Sequence, residues 1–210
     1  MYKHIIWDFD GTLFDTYPVM ANIFNEVLKE HDMEEPLGEI VKQMKISVLS
    51  AFKYYEKKYH IDRDFVTIYQ KRKKEAELAL SRPFDGIEEI CKYIHETGRK
   101  NYLFTHRGES SIKLLKKYHL DQYFSDFITS KQGFERKPSP DAIHYLLAKY
   151  NMLHSESMMI GDRDIDLLSA RNAGISACYF TESNHESDFA DYTINRFQQL
   201  YSILSSDENN

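Results

Sequence analysis

Asp8 and Asp10 stand two residues apart at the end of the apolar run His4-Ile5-Ile6-Trp7, followed directly by Gly11 and Thr12. Residues i and i+2 of a strand point the same way, so two such carboxylates repel unless a cation or a shared proton intervenes. Gly11 permits a sharp turn, and the carboxyl end of a strand is where open α/β sheets place their ligands. The stretch Met158-Met159-Ile160-Gly161-Asp162-Arg163-Asp164-Ile165-Asp166 repeats the arrangement: an apolar strand, a glycine, then carboxylates. Asp162 and Asp166 face one cavity if a helix begins between them. Asp164 is expected as a first-turn helix residue favoured by the dipole, and Arg163 as a surface or pairing residue.

Two further strand ends carry reactive groups. Thr105 closes Leu103-Phe104, with Gly108 just beyond, and its hydroxyl and the neighbouring amides can hold an anion or simply cap a helix. Lys137 precedes a helix start, where a cation is disfavoured, so either solvent or a negative partner must compensate it. If these segments converge, Asp8, Asp10, Asp162 and Asp166 place four negative charges at one end of a sheet, with Lys137 the main organic counter-ion. Hard oxygen donors in small number, with positions open to water and substrate, suit Mg²⁺. A dianionic substrate enters such a site only if metal and lysine offset the carboxylates.

Five strand-like segments can position these groups: Ile5 to Asp8, Lys100 to Thr105, Phe127 to Thr129, Ser157 to Ile160 and Ile175 to Phe180. Helical patterns separate them, which argues for a parallel sheet. Ser110 opens one helix, with Ile112, Leu115 and Lys116 at helical spacing, and Ser139-Pro140 opens another with Ile143, Leu146 and Leu147 inward. A third runs from Asp164 through Ile165, Leu168 and Ala173 to Gly174 as a left-handed cap. Between Asp15 and Arg82 only helical periodicity appears, over Val19 to His31, Leu37 to Met44, Ser47 to Tyr59 and Asp62 to Ser81. This stretch reads as a lid-like insertion, or as helices covering one sheet face, that returns to the sheet near Pro83-Phe84-Asp85-Gly86.

The composition sets limits on partners. The 210 residues, 42% hydrophobic and 29% charged, suffice for one core plus a small second module. The apolar runs are too short to span a bilayer, and the first residues do not read as a signal peptide, so a cytoplasmic protein without membrane partners is expected. The net charge of -6 argues against nucleic acid. The cluster Lys71-Arg72-Lys73-Lys74 sits within a helical pattern beside Glu75 and Glu77 and reads as a solvated face. Cys91 and Cys178 have no metal-ligand spacing and are expected buried and reduced. Residues 205–210 read as a frayed polar tail.

Asp8-Phe9-Asp10-Gly11-Thr12, then Thr105, then Lys137, then Gly161-Asp162 with Asp166 resemble, in order, the four motifs of the haloacid dehalogenase superfamily. The helical insertion resembles the cap of its phosphoglycolate phosphatase and β-phosphoglucomutase-like branch. The resemblance implies a Rossmann-like α/β core (residues 1–15 and 83–210), with helices on both faces of a parallel sheet, and an all-helical cap subdomain (16–82). It implies a Mg²⁺-dependent phosphatase acting on a small phosphorylated metabolite. Asp8 would be the nucleophile that becomes an aspartyl-phosphate, and Asp10 the general acid and base. Mg²⁺ would be held by Asp8, the Asp10 carbonyl and Asp162, with Asp166 orienting Lys137 or a metal-bound water. Gly11, Thr105, the His106 amide and Lys137 would bind the phosphoryl group.

Relatives commonly carry a small polar residue where this chain has His106-Arg107; the His106 side chain either reaches the substrate or cap or, the plainer reading, points outward. A sugar phosphomutase is the rival enzyme, with Lys42 and Lys45 expected where a cap loop could meet the substrate. A non-hydrolytic phospho-receiver or binding module is the rival of another class. The cap residues Tyr17, Lys42, Lys45, Tyr54 and Tyr55 do not select a substrate, and either a monomer or a homodimer is compatible with the chain.

Overall fold

The computed structural model describes residues 1–183 and 185–205. In chain order its elements are β1 (His4–Trp7), β2 (Phe14–Asp15), α1 (Tyr17–Glu30), α2 (Leu37–Ile46), α3 (Val48–Tyr59), α4 (Arg63–Leu80), β3 (Arg82–Pro83), α5 (Ile87–Glu96), β4 (Lys100–Phe104) and α6 (Ser110–Lys117). Then follow β5 (Phe124–Ile128), α7 (Asp141–Tyr150), β6 (Ser157–Gly161), α8 (Asp164–Asn172), β7 (Ser176–Phe180), β8 (Tyr192–Ile194) and α9 (Gln199–Ser205). The chain divides into two compact units: Met1–Phe14 together with the chain from Pro83 onward, and Asp15–Arg82.

The first unit is built on a six-stranded sheet of order β5-β4-β1-β6-β7-β8, each neighbouring pair parallel. β1 lies inside it, with Trp7 opposite Leu103 on β4 and Ile160 on β6. Strand alternation divides the apolar side chains between two cores. Ile5, Trp7, Leu103 and Ile160 pack on one face with Ile87, Leu114 and Leu200, from α5, α6 and α9. Ile6, Tyr102, Phe104 and Met159 pack on the other with Ile143, Leu146 and Leu167, from α7 and α8. Cys91 and Cys178 are free and buried in the first of these cores.

The parallel Rossmann-like core follows the expectation from sequence, with four differences in detail. β8 adds a sixth strand beyond the five segments read from the sequence, and β5 begins earlier, at Phe124. Ser110 is the first residue of α6 rather than its cap; its hydroxyl accepts from Arg107 Nε at 3.2 Å. The buried residues of α8 are Asp166, Leu167, Ser169 and Ala170, one position away from the expected Ile165 and Leu168, because the helix turns Asp166 inward. Gly174 does adopt the left-handed conformation, at φ 71°. Ser205 ends α9; residues 206–210 of the expected tail lie outside the described residues.

The second unit is helical and organised around Phe24. Its ring lies 5.0 to 5.8 Å from those of Phe52, Tyr55, Phe65 and Tyr69, which come from α3 and α4. Ser47 caps α3 by accepting from Ser50 N, and Asp62 caps α4 by accepting from Phe65 N, each at 2.9 Å. Lys42 and Lys45 belong to the helix α2 rather than to a loop; Lys42 pairs with Glu39, and Lys45 lies over the Tyr17 ring. Arg72 of α4 is bidentate to Glu30 at the end of α1, at 2.6 and 2.9 Å. Among the described residues no helix is long and apolar enough to cross a membrane.

Truncating Phe24, which is fully buried, removes the ring these neighbours share. We expect Phe24→Ala to cost about 3–5 kcal/mol of stability, read from urea unfolding followed by circular dichroism.

Candidate active site at the strand carboxyl ends

The ladder of β1 continues one residue past the strand: Asp8 N donates to Ile160 O at 2.9 Å, and Thr105 N likewise donates to Ile128 O at 2.9 Å. Asp8 and Thr105 thus leave the sheet at its carboxyl end from β1 and β4. The chain then turns on Phe9, whose carbonyl accepts from the amides of Thr12, Leu13 and Phe14. Gly11 carries φ 78°, a conformation that an L side chain adopts only at a cost. The turn returns the Thr12 hydroxyl toward Asp162, 3.4 Å from its Oδ1.

Lys137 is the hub. Its ammonium donates to Asp8 Oδ1 at 2.6 Å and to the Phe104 carbonyl at 2.8 Å, and lies 2.8 Å from Asp166 Oδ1. It also sits 4.5 Å from the centre of the Phe104 ring. The side chain is 0% exposed, which excludes the solvated reading of this lysine. The carboxylates of Asp8, Asp162 and Asp166 lie within 4.8 Å of one another and are all buried. Asp166 reaches the cluster because residue 161 is glycine: a Cβ there would meet Asp166 Cβ at 2.3 Å. Asp166 also holds the start of α8, accepting from Arg163 N at 3.2 Å.

Of the two readings of Arg163, surface or pairing, the structure shows the pairing one. Its guanidinium lies 3.9 Å from Asp8, 4.0 Å from Asp162 and 3.8 Å from Asp166. Burial, and then the Asp166 carboxylate, push the Asp8 carboxyl up to about 6 against the opposing pull of Lys137 and Arg163. Asp8 Oδ2 is buried and makes no hydrogen bond. An orphaned carboxylate oxygen beside two further buried carboxylates is a donor set of hard oxygens, and it fits Mg²⁺.

Asp10 has a different setting. It lies in the turn rather than on the strand, so the alternation that would align it with Asp8 does not apply, and the two carboxylates have different cations. Asp10 Oδ1 accepts from Arg107 Nη1, in an ion pair that spans 97 residues of sequence. Sequence reading missed this pair: nothing in local periodicity joins a turn after β1 to a turn after β4.

His106 corrects its outward reading. Its Nε2 accepts from Lys137 N at 2.8 Å, so the ring ties the loop that carries the lysine. Burial first, then Lys137 and nearby arginines, lower the His106 pKa to about 3 and keep the ring neutral, as an acceptor must be. The Thr105 hydroxyl accepts from Arg107 N at 3.1 Å and retains its proton for donation. A cavity of about 170 Å³ opens beside these residues, lined by Thr105, His106, Thr129, Ser130 and Arg136 among others.

The parallel core is that of a Rossmann-like α/β protein, with the clustered carboxylates gathered at the strand carboxyl ends. The chain belongs to the haloacid dehalogenase-like hydrolase family, whose model matches residues 5–180. It is 23% identical to pyrophosphatase PpaX of Halalkalibacterium halodurans, over 95% of each chain. It is 24% identical to a phosphoglycolate phosphatase of Vibrio parahaemolyticus, over 83% of this chain and 82% of that one. The structure of a putative β-phosphoglucomutase from Thermotoga maritima shares the fold, with TM-score 0.82 and 18% identity over 98% and 99% of the two chains.

The His106 pKa fixes a sign for the pH dependence of stability. A histidine held at about 3 in the folded state, and near 6.5 unfolded, binds more protons unfolded between those values. Its contribution is complete above about pH 6.5 and is lost as pH falls toward 3. We expect wild-type stability to fall more steeply over that window than that of His106→Gln, which keeps an acceptor but does not titrate. Urea midpoints measured from pH 7 to pH 4 check this.

Proposed function

We propose that the protein is a Mg²⁺-dependent phosphatase that hydrolyses a small phosphate monoester by way of an aspartyl-phosphate on Asp8. The observation that carries this reading is the buried Lys137 ammonium, bonded to Asp8 Oδ1 while Asp8 Oδ2 accepts no hydrogen bond. A carboxylate held by a fixed cation, with lone pairs uncommitted, is an oriented nucleophile. Relatives named phosphoglycolate phosphatase and pyrophosphatase align with most of this chain, which supports a small phosphorylated substrate.

On this reading Asp8 attacks phosphorus, and the departing alkoxide takes a proton from Asp10. Water then attacks the acyl phosphate and gives its proton to Asp10, releasing phosphate and restoring Asp8. Lys137, the Thr105 hydroxyl and the neighbouring His106 amide hold the equatorial oxygens, where charge accumulates. Asp166 keeps Lys137 in place. Asp8, the Asp10 carbonyl and Asp162 would hold Mg²⁺, which when bound supplies positive charge to the phosphoryl oxygens. The helical unit, residues 16–82, is read as a cap subdomain.

Phosphate release from a panel of metabolites, with Asp8→Asn as the blank, tests the proposal. We expect Asp8→Asn to lower kcat by about a thousandfold or more, a chelator to abolish turnover, and added Mg²⁺ to restore it. Mg²⁺ should also raise the wild-type melting temperature, and Asp162→Asn should lose that rise. Phosphoryl transfer between a sugar bisphosphate and monophosphate, or a persistent phosphoenzyme without release, would overturn the phosphatase reading.

A further inference from the structure

Asp10, as the carrier of the proton, must meet the leaving oxygen within hydrogen-bond reach, yet it sits in a turn next to a glycine. The structure supplies a brace. Arg107 Nη1 donates to Asp10 Oδ1, and the guanidinium is gripped on two other sides: its Nε donates to Ser110 Oγ at 3.2 Å, and its carbon lies 5.4 Å from the centre of the Phe9 ring. The arginine backbone is tied at both ends, its amide donating to Thr105 Oγ1 at 3.1 Å and its carbonyl accepting from Ser130 N at 2.8 Å. With its side chain only 10% exposed, Arg107 is built into the core domain, unlike an arm reaching through solvent.

We propose that Arg107 is a positioning residue for Asp10, holding its carboxylate where it exchanges a proton with the leaving group. The proposal rests on the reading of Asp10 as general acid and base. A guanidinium is a rigid planar fork, so the hydrogen bond to Ser110 and the stack on Phe9 fix where Nη1 points, and that fixes Asp10 Oδ1. An ammonium at the same place would supply the charge without the fork. A displacement of about 1 Å of the proton carrier is enough to cost on the order of a hundredfold in rate.

The test compares two probes that carry no second anionic group: β-glycerol phosphate, whose alkoxide needs a proton to leave, and p-nitrophenyl phosphate, whose phenolate does not. The ratio of their kcat/KM values is read within one preparation, so a partly misfolded variant does not distort it. We expect Arg107→Met to lower the alkyl-to-aryl ratio by about tenfold or more, and Arg107→Lys to recover part of that loss. An unchanged ratio in Arg107→Met, including an equal loss on both probes, would mean a merely structural arginine and would overturn the proposal. Asp10→Asn separates the two levels. If it lowers the ratio while Arg107→Met does not, the proposal alone fails; if Asp10→Asn keeps the wild-type ratio, the reading of Asp10 fails and the proposal with it.

Discussion

The burial of one ammonium organises the core domain. Removing a lysine charge from water costs several kcal/mol, and that cost is offset only when every donor finds a well-placed acceptor. Lys137 finds acceptors in Asp8 at the end of β1 and the Phe104 carbonyl at the end of β4, and an ion-pair partner in Asp166 in the first turn of α8. Each acceptor comes from a different element, so the charge is satisfied only when the strands are in register and α8 starts at Asp164. Gly161 belongs to the same constraint, because the space a side chain would occupy there is filled by Asp166. The strand order thus places the acceptors, and the lysine in turn penalises any arrangement that separates them.

The acceptors outnumber the cation. Asp8, Asp162 and Asp166 are three buried carboxylates around one fully buried ammonium, and Arg163 stands at 3.8 to 4.0 Å, an ion-pair distance and beyond a hydrogen bond. The Asp8 carboxyl is pushed up first by its burial and then by the Asp166 carboxylate, against the pull of Lys137 and Arg163. A stable fold has no need of such an arrangement: apolar residues of similar volume would pack there without a desolvation cost. Retaining the carboxylates makes sense where further positive charge enters the site, which is the condition the proposed metal would meet.

The sheet was legible because its physics is local. Buried runs such as Ile5-Ile6-Trp7 and Met158-Met159-Ile160 read as interior strands, and Ser47, Asp62 and Gly174 read as helix ends by their own chemistry. β8 is three residues at the sheet edge and carries too little pattern to be seen. In α8 the apolar period was misread by one position because a carboxylate occupies the inward face, where the pairing with Lys137 overrides hydrophobicity. Asp8, Lys137 and Asp166 were nameable from their motifs, and the structure brings them together. The second layer, Arg107 on Asp10 and His106 on the Lys137 amide, joins residues 97 and 31 positions apart. No spacing rule reaches that far.

That second layer shows what the strand end after β4 contributes. Thr105, His106 and Arg107 are consecutive, and each is committed differently. The threonine hydroxyl receives the arginine amide, the neutral imidazole receives the lysine amide, and the guanidinium holds the second aspartate. Three neighbouring residues therefore tie together the loop bearing Lys137 and the turn bearing Asp10, which are otherwise far apart in sequence. A smaller residue at position 106 would leave the Lys137 amide without its imidazole acceptor, and one at position 107 would leave Asp10 without its guanidinium. The size of these two side chains is thus explained by what they hold: His106 the amide of Lys137, and Arg107 the carboxylate of Asp10. Because both extend from the end of one strand, the two aspartates keep their separation through a single rigid element.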